Sequence, residues 1–129
     1  MMTVVVADDD EASRDFLQEA LMAIGYNPVA ARDGKEALDS IGTLEPGLAI
    51  LDIQMPRLNG HQVVRALRKD PRFSSLPVVA LTAHAMQEDR EKAWESGFDA
   101  YLTKPINLGE LRRQLNRLTG KKVPSERKG

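Results

Sequence analysis

Four short aliphatic runs each end abruptly in polar side chains. Val4-Val5-Val6-Ala7 precedes Asp8-Asp9-Asp10, Leu48-Ala49-Ile50-Leu51 precedes Asp52, and Val78-Val79-Ala80-Leu81 precedes Thr82. Tyr101-Leu102-Thr103 leads into Lys104-Pro105. Unbroken runs rich in Val, Ile and Leu are strands buried on both faces, which is the condition of a parallel sheet covered by helices. In such sheets the ligand crevice lies beyond the carboxyl ends of the strands. Residues remote in sequence are therefore expected to converge there: several carboxylates, a hydroxyl and an ammonium. That set suits a hard cation and a phosphoryl group.

Between the runs the apolar spacing changes from continuous to helical. Ala12 to Ile24 carries Phe16, Leu17, Ala20, Leu21 and Ile24 three and four apart and stops at Gly25. A second strand is predicted near Pro28 to Ala31, followed through Asp33-Gly34 by a helix near Lys35 to Ile41. A third helix, Gly60 to Arg68, presents Val63, Val64 and Leu67 and ends before Asp70-Pro71. A fourth runs from about Met86 to Ser96, closed by Gly97. The last, from about Leu108 to Leu118, places Leu108, Leu111, Leu115 and Leu118 on one stripe. Five βα units thus fill the chain and predict an α/β fold, a doubly wound parallel sheet with helices on both faces.

Composition narrows the function classes. The 129 residues fit one domain. With 18 basic and 19 acidic side chains the formal charge is −1, so no global field points to nucleic acid or an anionic membrane. No apolar run approaches the roughly 20 residues of a membrane span, and no secretory signal is recognisable, so a cytoplasmic location is expected. The absence of cysteine removes disulfides, thiolate metal sites and cysteine nucleophiles. Residues 120–129 carry four basic side chains and one large apolar residue, Val123, and are expected to form a short basic, disordered tail.

Three carboxylates in one crevice raise one another's pKa and call for a counter-charge. All-oxygen ligands favour magnesium, manganese or calcium over zinc. Lys104 would bring a second positive charge to a phosphoryl group, and the Thr82 hydroxyl a hydrogen bond. Taken singly, Asp10 is expected as a helix N-cap, and Thr82 is as much at home in that role as in the site. Capping does not account for Lys104 or for the stacked acids.

These residues resemble the receiver domains of bacterial two-component response regulators, including the chemotaxis-regulator type. The family pattern is an acid pair, Asp-x-x-Met-Pro-x-x-x-Gly, Ser/Thr-Ala and Lys-Pro, each at a strand end. The chain reads Asp8-Asp9, then Asp52-Ile53-Gln54-Met55-Pro56-Arg57-Leu58-Asn59-Gly60, then Thr82-Ala83, then Lys104-Pro105. Four weak pieces in order are highly specific, and the match covers Thr3 to Leu118. The resemblance implies a flavodoxin-like receiver fold over residues 1–119, with five strands in order 2-1-3-4-5 and five helices.

The resemblance also implies roles. Asp52 would be the phosphoacceptor for a phosphohistidine of a sensor histidine kinase or histidine phosphotransfer protein. Asp9, Asp52 and the Gln54 main-chain carbonyl would bind Mg²⁺, with Asp8 acting mainly through metal-bound water. Thr82 and Lys104 would hold phosphoryl oxygens, and Thr82 and Tyr101 would form the switch. Counting back from Arg14 favours Asp8-Asp9 over Asp9-Asp10 as the acid pair. Receivers also suggest a cis Lys104-Pro105 bond and an output face on the fourth helix, the Tyr101 strand and the last helix, with Trp94 partly exposed. Gln54 and His84 fall where the family varies residues that set phosphoryl lifetime, and His84 is expected to be a solvent-facing lid residue. The implied activity is signalling rather than enzymatic turnover, with an unknown downstream protein partner.

Other classes fit less well. A haloacid-dehalogenase-type phosphatase also uses an Asp-x-Asp after a strand, but expects Thr or Val where Ala12 stands and reverses the order of nucleophile and acid pair. A flavodoxin must cradle a phosphate in its first loop, where three aspartates would repel it. An EF-hand needs glycine where Ser13 stands. Whether the chain is a stand-alone regulator or a receiver from a hybrid kinase or multidomain regulator is open in the sequence.

Overall fold

The computed structural model describes residues 1–83 and 86–120. His84 and the tail from Lys121 onward lie outside the described residues, and with them the expectations placed there. The elements alternate strictly: β1 (Thr3–Ala7), α1 (Glu11–Ala23), β2 (Asn27–Ala31), α2 (Gly34–Leu44), β3 (Leu48–Asp52), α3 (Gly60–Lys69), β4 (Val78–Thr82), α4 (Gln87–Ser96), β5 (Ala100–Thr103) and α5 (Leu108–Thr119). All strand pairings are parallel, and the sheet order is β2-β1-β3-β4-β5. Fold class and strand order are as expected.

Strand alternation sorts one sheet into two cores. Val5, Ala7, Ala49, Leu51, Val78 and Ala80 point to the side covered by α2, α3 and α4, where Ala37, Ile41, Val63, Val64, Leu67 and Ala93 meet them. Val4, Val6, Leu48, Ile50, Val79 and Leu81 point to the side of α1 and α5, against Leu17, Leu21, Leu111 and Leu115. The central strands β3 and β4 are buried throughout because both faces are covered. Pro28 is accommodated because β2 is an edge strand.

Helix starts follow their cap residues. The side chains of Asp10, Asp33, Asn59 and Asn107 accept the backbone N–H of Ser13, Glu36, Gln62 and Glu110. Asn59 and Gln62 form a reciprocal capping box. Three differences from the sequence reading stand out. Helix α2 continues a turn past Ile41 to Leu44, ending where Glu45 turns left-handed at φ 46°. Phe16 and Leu108, expected on buried stripes, are exposed. Leu108 opens α5, whereas Phe16 lies within α1 and lines a shallow groove with Ala12, Lys104 and Ile106.

Candidate functional site

Parallel register brings the strand ends to one edge. Asp52 closes β3 opposite Leu81, and Thr82 closes β4 opposite Thr103. Asp8 follows β1 and continues its ladder, donating its N–H to the Ala31 carbonyl at 3.2 Å. Lys104 follows β5 and donates its N–H to the Thr82 carbonyl at 2.8 Å, and the Lys104-Pro105 bond is cis.

Carboxylate oxygens of Asp8, Asp9 and Asp52 lie within 4.8 Å of one another. Lys104 bridges two of them, its Nζ 2.9 Å from Asp52 Oδ2 and 3.0 Å from Asp8 Oδ2. Asp8 is fully buried and Asp52 is 5% exposed, while Asp9 faces solvent. Backbone N–H groups set the carboxylate orientations: Asp10 N donates to Asp8 Oδ1 at 2.9 Å, and Gln54 N to Asp52 Oδ1 at 3.0 Å. Asp8 Oδ2 is within ion-pair distance of Lys104 and accepts no hydrogen bond.

Burial raises the Asp52 carboxyl from 3.8 to about 6, and Asp8 adds to the rise; the Lys104 ammonium and the Gln54 N–H oppose it. Burial alone would lower the Lys104 pKa. The hydrogen bond to Asp52 and the charges of Asp52 and Asp8 outweigh that and hold it above the usual value. A buried acid pair sharing one lysine is under-compensated, and a buried carboxylate oxygen without a donor faces the cluster. An all-oxygen donor set with this charge deficit fits a hard divalent cation.

Asp10 is an N-cap, accepting from Ser13 N at 3.0 Å, and that hydrogen bond lowers its pKa. The acids gathered with Asp52 are therefore Asp8 and Asp9, as counted from Arg14. Thr82 does not cap α4, whose N-cap is Met86, and it is buried at the end of β4. Tyr101 lies further back on β5, buried, with the Arg90 guanidinium 5.1 Å from its ring centroid. Trp94 is 50% exposed, as expected. It lines a cavity of about 390 Å³ with Arg90, Tyr101, Glu110, Gln114 and Arg117, between α4, β5 and α5.

Two supports were not read from the sequence. Arg14 Nη1 donates to the Asp8 carbonyl at 3.0 Å, tying α1 to the acid loop. A Cβ on Gly60 would lie 2.7 Å from the Asp52 carbonyl oxygen and 2.9 Å from Ile53 Cα, so α3 starts in direct backbone contact with the acid strand. The motif marks Gly60, but the reason for it is a tertiary contact.

The response regulator receiver domain model matches residues 4–116. The chain belongs to the response regulator receiver family. The response regulator MprA of Mycolicibacterium vanbaalenii is 38% identical over 98% of this chain, which spans 54% of that relative's length. The polar-differentiation response regulator DivK of Brucella anthropi is 35% identical, over 82% of this chain and 86% of its own. Among solved structures, the receiver domain of the sensor histidine kinase PA1611 of Pseudomonas aeruginosa superposes with a TM-score of 0.86 at 29% identity, covering 92% of this chain and 98% of that one. It is described with a magnesium ion coordinated in its active-site cleft. The receiver fold thus accounts for the sheet order and for the gathering of acids at its edge. No helix among the described residues is long and apolar enough to cross a membrane.

Proposed function

We propose that the chain is a phosphoacceptor of a cytoplasmic two-component phosphorelay, its receiver spanning residues 1–119, with Asp52 as the residue modified. The observation that carries this reading is the gathering of Asp8, Asp9 and Asp52 within 4.8 Å with Lys104 bridging Asp8 and Asp52. An Asp52 oxygen attacks the phosphorus of a phosphohistidine on a sensor kinase or phosphotransfer protein. The P–N bond breaks, the imidazole leaves with its electron pair and takes up a proton, and an aspartyl phosphate remains. Asp9, Asp52 and the Gln54 carbonyl would hold Mg²⁺, with Asp8 reaching it through water. When bound, the ion offsets the charge of the phosphoryl oxygens. The magnesium described in the PA1611 receiver supports this assignment by analogy. Lys104 exchanges its carboxylate partners for a phosphoryl oxygen, and Thr82 donates to another.

The domain signals through its surface and turns over no substrate of its own. The face between α4, β5 and α5, with Trp94 exposed and Tyr101 beneath Arg90, is the side that a downstream protein reads. Because the chain spans about half of MprA but most of DivK, both a multidomain and a stand-alone context suit the same chemistry. Incubation with acetyl phosphate and Mg²⁺ adds one phosphoryl mass to the intact chain. Full labelling of Asp52→Asn, or labelling that survives excess chelator, would overturn the assignment. Phosphotransfer from a panel of phosphorylated kinases identifies the donor.

A further inference from the structure

Helix α4 is held by little apolar packing. Of its ten residues only Ala93 and Ser96 are buried, and its N-cap, Met86, makes no side-chain cap hydrogen bond. A helix with so few buried contacts is placed by the polar contacts it makes. Among the described residues, its hydrogen bonds to α3 gather at its C-terminal end. The Ser96 hydroxyl has a single proton. It donates to the Lys92 carbonyl at 2.9 Å, which leaves Oγ as the acceptor for His61 Nδ1–H at 2.6 Å. One residue on, the Gly97 carbonyl accepts from Arg68 Nε at 3.0 Å and Nη2 at 2.7 Å. Both ends of α3 therefore grip the last turn of α4.

His61 is well placed to transmit position. It follows Gly60, where an added Cβ would strike the Asp52 and Ile53 backbone and whose N–H donates to the Ile53 carbonyl at 2.9 Å. Its ring also packs edge-on to Phe98, with centroids 6.0 Å apart. Neutral and charged imidazole both keep a proton available on Nδ1, so the bond does not depend on the ring's charge. The function described above does not use this pair.

We infer that His61, through its hydrogen bond to Ser96, is a positioning residue that holds the C-terminal end of α4 as a fixed pivot about which the α4–β5–α5 face switches. This deepens the reading of that face as the signalling side and rests on it. The pivot ties the helix to the backbone beside Asp52, while its lightly packed N-terminal half is free to move.

Hydrogen exchange and amide shifts test this on the full chain. Ser96→Ala and His61→Phe remove one hydrogen-bond partner each and open no cavity of note. Each lowers the exchange protection of the Glu95 to Phe98 amides at least fivefold, and the double variant lowers it no further than either alone. His61→Asn, which presents an N–H near the Nδ1 position, restores it. With Mg²⁺ and beryllofluoride, the Trp94 shift falls at least twofold in the two single variants while Thr82 responds fully. Unchanged protection, additive losses or an undiminished Trp94 response would overturn the pivot. A wild-type Trp94 that ignores beryllofluoride would instead sink the switching-face reading. The two failures are distinguishable, because exchange without beryllofluoride reads the pivot alone.

Discussion

Asp52 concentrates the tension in this site. It is nearly buried beside the fully buried Asp8, and one lysine serves both. Its folded pKa of about 6 exceeds the unfolded value of 3.8, so between those values the folded state binds more protons. Stability from this group is complete below about pH 4 and is lost as pH rises through about 6. Thermal melts of the metal-free chain will show this loss, and millimolar Mg²⁺ will cancel it by stabilising the ionised form. Asp52→Asn will melt higher than wild type without metal at pH 7 and will lose the Mg²⁺ response. A flat metal-free profile from pH 4 to 7 would contradict the charge-deficit account. Gly60 answers to a different constraint. A methyl group 2.7 Å from a backbone oxygen cannot be absorbed by a side-chain shift, so Gly60→Ala will cost about 2–3 kcal/mol in urea unfolding and slow phosphorylation.

Among the elements, α3 does more than cover the sheet. Besides holding α4, its Arg68 donates to the Phe73 and Leu76 carbonyls at 3.0 and 2.8 Å and pairs with Asp99 at 2.8 Å. Asp99 in turn accepts from Val78 N at 2.9 Å, so one guanidinium fastens the entries to β4 and β5. Arg68→Ala leaves several carbonyls without donors and will cost about 3 kcal/mol. Arg68→Lys will recover less than half, since an ammonium cannot span the same acceptors. Chemical denaturation of the three proteins checks the order. Such a hub is invisible in sequence, where Arg68 reads as one more charge near a helix end.

On the scale of the domain, the acid cluster sits at the ends of β1 and β3 with Lys104 reaching it from β5, the Trp94 face lies on the β5 side, and β2 forms the opposite edge. Beryllofluoride with Mg²⁺ will therefore shift the amides of Thr82, Trp94 and Tyr101 far more than those from Pro28 to Ile41. Equal shifts on both sides would mean that the signal is not routed through α4 and β5.

The architecture was legible in the chain because burial on both faces leaves no alternation to disguise a strand, and because each strand end carries its own chemical group. The four motif pieces pointed to Asp8, Asp9, Asp52, Thr82 and Lys104 for the same reason: parallel topology turns strand ends into neighbours. A local signal was also enough for the cap at Asp10, whose hydrogen bond spans only three residues, whereas Thr82, open to the same reading, caps no helix. What required the folded chain are contacts between residues distant in sequence. The exposure of Phe16 and Leu108 depends on how their helices seat on the sheet, the need for glycine at 60 on the Asp52 backbone, and the reach of Arg68 on loops up to 31 residues away. The meeting of His61 with Ser96 across 35 residues is of the same kind. Periodicity encodes which face of a helix is buried; only packing decides which polar atoms meet across it.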